Sequence, residues 1–200
     1  EYTPLETIDS ELVKDAPLPK FINELGLRVE TTNLWLSDGN TIGKLHFDGA
    51  DNFLVQFVGS KTLTIFDPHN NENLYEGHIQ EAEFDASYKL DEKGYSLQNW
   101  TFSRHRLLDS TSMVMSPVDL AKIDVQRFPN FAKVKRMVCT INKGDALFLP
   151  AFWWHEVASA PCPEKHFNLA LNFWFRAFFL KDIPCAECRL DINKDYHHFL

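Results

Sequence analysis

Residues 41–68, TIGKLHFDGADNFLVQFVGSKTLTIFDP, constrain this chain more than any other stretch. The run is apolar and β-like on both sides of Gly59-Ser60, with Phe53, Leu54, Val55, Phe57 and Val58 before the pair and Leu63 and Ile65 after it. His46 and Asp48 enter it two residues apart, so in an extended segment their side chains point the same way. An imidazole and a carboxylate on one face are two thirds of a 2-His-1-carboxylate set, the donors that hold non-haem Fe(II) with positions left open. The second half holds an oddity. Alternation through KTLTIF puts Lys61 on the face of Leu63 and Ile65, the core side, and turns Thr62 and Thr64 away. An unpaired ammonium inside a small β-fold is strongly disfavoured. An anion meeting it there resolves the conflict, and a cosubstrate carboxylate is the obvious candidate.

A second passage, GDALFLPAFWWHEV over residues 144–157, places His155 behind two tryptophans on a strand-like run. His155 is far from His46 in sequence, so only a fold that brings distant strands together can join them. In the strand that follows, Leu169, Leu171, Phe173 and Phe175 alternate with Asn168, Ala170 and Asn172. A small, polar face opposite a bulky apolar one predicts that the former borders a cavity.

His46-Phe47-Asp48, Asn52 four residues past the aspartate, Lys61, the GDALFLPAFWWH run and Ala170-Leu171-Asn172-Phe173-Trp174 together resemble the Jumonji-C hydroxylases. Those are Fe(II)- and 2-oxoglutarate-dependent oxygenases on a cupin barrel. The similarity is to their small hydroxylase branch, with the asparaginyl hydroxylase factor inhibiting HIF, the Jumonji lysyl hydroxylases and the tRNA wybutosine hydroxylase. The matched motifs span residues 32–68 and 127–176. The resemblance implies that His46, Asp48 and His155 are the catalytic metal ligands. It also implies that Lys61 meets the distal carboxylate of 2-oxoglutarate and that Asn52 and Asn172 lie beside metal and cosubstrate. A tyrosine from ahead of the HxD motif joins that carboxylate in the family, and Tyr2 is the tyrosine available. One position departs from the pattern. The family commonly carries Thr or Ser three residues before the first histidine, and here that residue is Gly43, with Lys44 beside it. Thr41, two residues earlier and so on the same face of a strand at another depth, is the hydroxyl expected to reach the cosubstrate.

The activity so implied uses Fe(II), 2-oxoglutarate and O2 to hydroxylate an amino-acid side chain of a protein substrate. A histone lysine demethylase or a tRNA-modifying hydroxylase uses the same machinery. A degenerate cupin-like binding module is the non-enzymatic alternative, with Gly43 in its favour. The net charge of −8 argues against non-specific attachment to nucleic acid or anionic membrane, though tRNA is not excluded.

Two hundred residues, 44% apolar, suit one mainly β domain, and seventeen Phe with five Trp point to an aromatic-lined jelly-roll or cupin barrel, a double-stranded β-helix. Residues 1–30 form a flank, 31–68 and 127–176 the barrel core, 69–126 an insertion and 177–200 a C-terminal extension. Locally, a short helix is predicted over 19–27, stopping at Gly26. Strands follow at 31–36 and 41–47, and residues 51–58 and 61–68 read as a hairpin turning at Gly59-Ser60. Residues 69–115 read as irregular, with 94–106 (GYSLQNWTFSRHR) as either a surface excursion or a substrate-gripping lid. His69, His78 and His105 there share no paired-ligand motif. Ser116-Pro117 reads as the start of a helix over 118–128, with Leu120, Ile123 and Phe128 inward. No run of 18 apolar residues is present, and the four cysteines form no dense framework, which suits a reducing compartment, cytoplasmic or nuclear. Cys185, Cys188, His197 and His198 are a loose match to a zinc site. The tail is better read as an extension able to form a homodimer contact.

Overall fold

The computed structural model describes residues 5–16, 18–79, 82–88, 100–106, 113–183 and 185–199. Three short helices lead in: α1 (Leu5–Ile8), α2 (Ser10–Asp15) and α3 (Lys20–Glu24). Asp9 caps α2 by accepting from the Glu11 amide at 2.9 Å. The turn after α3 passes through Gly26 at φ +66°, the expected glycine stop.

Strands then dominate, in the order β1 (Val29–Ser37), β2 (Ile42–His46), β3 (Asp51–Val58), β4 (Ser60–Phe66), β5 (Gly77–Ile79), β6 (Ala82–Tyr88), β7 (Trp100–Arg106) and β8 (Met113–Met115). After them come β9 (Arg136–Asn142), β10 (Ala146–Leu149), β11 (Trp154–Ala160), β12 (Asn168–Phe175), β13 (Phe179–Leu180) and β14 (Asp191–Ile192). Among the described residues two large antiparallel sheets result, one ordered β1-β12-β3-β10 and the other β5-β8-β2-β11-β4-β9, beside the two-stranded pairs β6-β7 and β13-β14. The fold is mainly β, as the pattern of short strands predicts. Inner faces of both sheets meet in a cluster of Leu54, Leu149 and Ala170 against Leu63, Ile65 and Ile141. The bulky face of β12 points the other way. Leu171, Phe173 and Phe175 pack beneath the N-terminal helices with Leu5 and Ile22, which explains why both faces of that strand are buried.

Two local expectations are corrected. The segments expected at 51–58 and 61–68 lie on β3 and β4, which ends at Phe66, but they form no hairpin: β3 pairs with β12 and β10, whereas β4 pairs with β11 and β9. A lone residue, Gly59, separates them, and it carries the chain from one sheet to the other at φ +77°. A Cβ there would lie 2.4 Å from the Ala160 carbonyl oxygen, so glycine is needed both for the dihedral and for the close approach. Fully buried Asn168 fastens this corner, donating to the carbonyls of Ser60 at 2.9 Å and Ala160 at 2.8 Å while accepting from Gln56 at 3.1 Å.

The helix expected over 118–128 is the second correction. These residues form separate turns. Ser116 Oγ accepts from the Val118 amide at 3.1 Å, Asp119 from Ala121 at 3.2 Å, and Asp124 from Gln126 and Arg127 at 3.1 Å. Side-chain acceptors spaced this closely satisfy the amides locally, so no continuous ladder forms. Of the three residues expected inward, Phe128 is buried and Leu120 and Ile123 are half-buried. In the stretch expected to be irregular, β5 and β8 extend the larger sheet beyond β2, and β6 and β7 pair as a ribbon. Residues 94–99 of the lid expectation lie outside the described residues.

The tail folds back on its own chain. Asn193 donates to the Ala177 carbonyl at 2.9 Å and the Tyr196 hydroxyl to that of Arg176 at 2.8 Å. Cys185 and Cys188 are joined to each other as a disulfide rather than set as ligands of the loosely matched zinc site. Among the described residues no helix is long and apolar enough to cross a membrane.

A buried carboxylate fixes the loop that leads into β11. Asp51 accepts from the Ala151 amide at 2.7 Å and the Phe178 amide at 3.0 Å. Hydrogen bonds to a charged acceptor are each worth about 1.5–3 kcal/mol. Asp51→Ala should therefore lower the unfolding free energy by at least about 2 kcal/mol in urea, with Asp51→Asn intermediate because one oxygen remains. A change under about 0.5 kcal/mol would show that the clamp contributes nothing.

Candidate metal centre and its cavity

His46 closes β2, and Asp48 follows two residues on, its carbonyl held by the Phe152 amide at 2.8 Å. His155 is the second residue of β11 and lies directly opposite His46 in the register. The two rings are 4.3 Å apart between centroids, and His155 Nε2 lies 3.5 Å from Asp48 Oδ2. One ligating atom from each of the three falls within 4.8 Å of the others, the only such group of His, Cys, Asp or Glu among the described residues. The structure thus brings together the three residues singled out from sequence, over a hundred positions apart.

Their chemistry is set by the backbone around them. His46 Nδ1 lies 2.6 Å from the Lys44 carbonyl oxygen, and His155 Nδ1 lies 2.9 Å from that of Trp153. A carbonyl only accepts, so each Nδ1 carries the proton and each Nε2 presents its lone pair to the centre. Burial, followed by the neighbouring His46, pushes His155 down to about 4, with Asp48 pulling the other way. His155 is therefore neutral at physiological pH, the form that ligates. Two imidazoles and a carboxylate, oriented by backbone carbonyls, fit a divalent ion that takes mixed nitrogen and oxygen donors.

A cavity of about 370 Å³ opens beside these ligands, between the two sheets. One wall carries a chain of amides. Trp35 Nε1 donates to Asn172 Oδ1 at 2.5 Å, Asn172 Nδ2 donates to Asn52 Oδ1 at 2.6 Å, and Asn52 Nδ2 reaches the Leu149 carbonyl at 3.4 Å. That direction of donation fixes both amide orientations. The opposite wall carries Lys61 on the inner face of β4, as alternation predicts, with Thr62 and Thr64 on the other face. Lys61 is 7% exposed, and Nζ donates to Ser159 Oγ at 2.7 Å. No carboxylate among the described residues pairs with it. Burial alone pushes it down to about 8 from its ordinary 10.5.

The other expected residues divide. Thr41 lines the cavity, and its carbonyl accepts from the Ser159 amide at 2.9 Å. Lys44 is exposed and pairs outside with Asp119 at 3.0 Å. His69 is likewise exposed, against Asp67. Tyr2 lies outside the described residues. Ser159 and Trp35 line the cavity without having been singled out as site residues. Alternation from His155 through Val157 reaches Ser159, and alternation along β1 reaches Trp35, but strand pairing is needed to see what they face.

An ammonium held in a cavity without a counter-charge costs folding free energy. Its folded pKa lies below its unfolded one, so the cost is full below about pH 8 and fades as pH rises towards 10.5. Lys61→Met should accordingly melt at a higher temperature than the wild type near about pH 7, the gap shrinking near about pH 10. Thermal unfolding at both pH values checks this, and a destabilised variant at neutral pH would refute it.

Comparison with known proteins agrees with the geometry. A family model described as cupin-like domain matches residues 1–181. The JmjC domain-containing protein F of Dictyostelium discoideum is 30% identical over 174 residues, covering 82% of this chain and 32% of that protein. Lysine-specific demethylase 8 of Xenopus tropicalis is 26% identical over 167 residues, covering 82% and 30%. The human bifunctional peptidase and (3S)-lysyl hydroxylase JMJD7 is 27% identical over 165 residues, covering 80% and 46%. The chain thus spans between about a third and a half of the length of these relatives. With nine tenths of its residues under one family model and the His-Asp-His centre in place, the chain belongs to the cupin-like domain family, alongside JmjC proteins.

Proposed function

We propose that this domain is an Fe(II)- and 2-oxoglutarate-dependent oxygenase that hydroxylates an amino-acid side chain of a protein. The observation that carries this reading is the convergence of His46, Asp48 and His155 beside a cavity whose far wall holds a lysine with no carboxylate partner among the described residues. His46 and His155 would hold the metal through Nε2, and Asp48 would partly offset its charge. Bound there, Fe(II) would supply the oxidising power with 2-oxoglutarate and O2: one oxygen atom of O2 would end in the succinate formed as the 2-oxo acid loses carbon dioxide, the other in the hydroxyl formed at a C–H bond.

Everything else is the chain's work. Lys61 receives the distal carboxylate as a compact charge in a dry pocket, which fixes the length and orientation of the acid that fits. Asn52 and Asn172, their amides already oriented by Trp35 and the Leu149 carbonyl, present polar edges to the cavity. Leu54, Leu63 and Leu149 line the space between and exclude water. A lysyl hydroxylase is among the relatives, and the acidic surface favours a protein over a polynucleotide as substrate.

Metal titration tests the ligands. His46→Ala or Asp48→Ala should abolish tight metal uptake, whereas Lys61→Ala should leave it unchanged because the lysine is no ligand. Lys61→Ala should weaken 2-oxoglutarate binding by roughly one to two decades, the size of a lost charged hydrogen bond. Lys61→Arg should rescue poorly, since a longer planar head cannot occupy a pocket shaped for an ammonium. Succinate release in the metal-loaded wild type, followed by a gain of one oxygen on candidate proteins in mass spectrometry, completes the test. Release of formaldehyde would reassign the reaction to demethylation, and a wild type that binds metal but no 2-oxoglutarate would make the domain a binding module.

A further inference from the structure

An anion held by one ammonium pivots, so a second donor at the far end of the cavity determines how well the anchor works. Position 43 is the natural place to look on β2. Three steps of β2, from 43 to 46, oppose two steps of β11, from 157 to 155, so the strand carries one extra residue. That bulge turns position 43 towards the cavity with His46, although the two are an odd number of residues apart. Gly43 has nothing to offer there. Steric need does not explain the glycine, because a Cβ would meet Val157 O at 3.9 Å and His46 Cε1 at 4.0 Å, ordinary contact distances. Its backbone is not left-handed either.

The facing strand carries the missing group. Ser159 is the direct register partner of Lys61, both side chains point inward, and both line the cavity. Ser159 Oγ accepts from Lys61 Nζ at 2.7 Å. A hydroxyl that accepts still has its own hydrogen to donate, and among the described residues no acceptor takes it. The Ser159 amide is tied to the Thr41 carbonyl at 2.9 Å, which holds the residue in place.

We infer that Ser159 is the second anchor of the distal carboxylate: Lys61 and Ser159 act as a paired ammonium and hydroxyl, and the hydroxyl comes from β11 because β2 carries Gly43. The inference rests on the oxygenase reading and deepens it. One carboxylate oxygen would accept from Nζ and the other from Oγ, while the lysine-to-serine bond holds both donors at a fixed spacing. The low Lys61 pKa agrees, since a carboxylate arriving there supplies the counter-charge that the empty wall lacks.

The test is calorimetric titration of Mn(II)-loaded protein, which reads binding without turnover. Two ligands are used, 2-oxoglutarate and 2-oxobutyrate, the second lacking the distal carboxylate. Ser159→Ala should weaken 2-oxoglutarate about tenfold, the worth of one hydrogen bond to a charged acceptor, and leave 2-oxobutyrate unchanged. Gly43→Thr added to Ser159→Ala should recover most of the loss, because a hydroxyl then enters from β2 into space that is open. Equal 2-oxoglutarate affinity in wild type and Ser159→Ala would overturn the inference alone. Equal losses for both ligands would overturn it too, by showing that Ser159 merely supports the cavity. A wild type that binds neither ligand would overturn the oxygenase reading and this inference with it. Should Ser159→Ala fold poorly, Ser159→Cys keeps the volume with a weak donor and should show the same selective loss.

Discussion

The register of β11 between β2 and β4 is the constraint on which this molecule depends. That one strand sets His155 opposite His46 on one side, and on the other it sets His155 opposite Ile65 and Ser159 opposite Lys61. Because side chains alternate with period two, a slip of one residue would turn His155 and Ser159 out of the barrel together. The strand is therefore held at both ends. Before it, the loop at 150–153 is fixed by the Asp51 carboxylate on Ala151 and by the Asp48 carbonyl on Phe152, a residue at φ +67°. After it, Asn168 fastens the Ala160 carbonyl to the Gly59 corner. Trp154, fully buried, donates to Asn71 Oδ1, and Asn71 in turn meets Glu76, which takes the buried Lys181 ammonium. The strand that carries His155 and Ser159 is thus held at both ends and paired on both sides.

Burying this much polarity in a 200-residue barrel would be destabilising if the groups were left alone. Most of them are not. Asn52 and Asn172 join Trp35 in one chain of donors, Asn168 and Gln56 satisfy the corner, and the two histidines spend Nδ1 on carbonyls. Among the described residues, what the cavity keeps open for a ligand is two Nε2 lone pairs, the remaining ammonium hydrogens of Lys61 and one hydroxyl hydrogen, while Thr31 Oγ1, Gln56 Oε1, Glu156 Oε2 and Trp174 Nε1 are also buried without a partner. Polar networks inside proteins are most favourable when complete, and the valences left open in the cavity are the ones an incoming ligand would complete.

Which parts of this were legible in the residues follows from range. His46 with Asp48 and the inward face of Lys61 depend on period-two alternation within a strand, and the sequence carries that directly. His155 was found through its GDALFLPAFWWH context rather than through any local geometry. The β3 to β4 hairpin misled because two apolar strands flanking a Gly-Ser pair satisfy the hairpin pattern. Only the pairing of β3 with β12 and of β4 with β11 shows that Gly59 is a corner between sheets. The supposed helix after Pro117 had the right apolar spacing, yet Ser116, Asp119 and Asp124 each captured the next amides and broke it into turns. Ser159 was invisible for the same reason as the corner. Its meaning lies in the residue across from it.

The cavity draws its two walls from different sheets. Trp35, Asn52, Asn172 and Leu54 stand on the four-stranded sheet, whereas His46, Lys61, His155 and Ser159 stand on the six-stranded one. Between them the shared core is small, six buried aliphatic side chains of which three come from each sheet. A ligand that spans from the histidines to Lys61 lies along the six-stranded wall and presses its other flank against the amide chain. It would therefore add contacts across the interface of the two sheets beside that core. Anything that binds the folded state alone stabilises it by RT ln(1 + [L]/Kd), and here that linkage acts on the spacing of the sheets rather than on a surface loop. The paired anchor on β4 and β11 matters for the same reason: an acid held by two donors at fixed spacing cannot swing, so its free end meets the ligands without either sheet having to move.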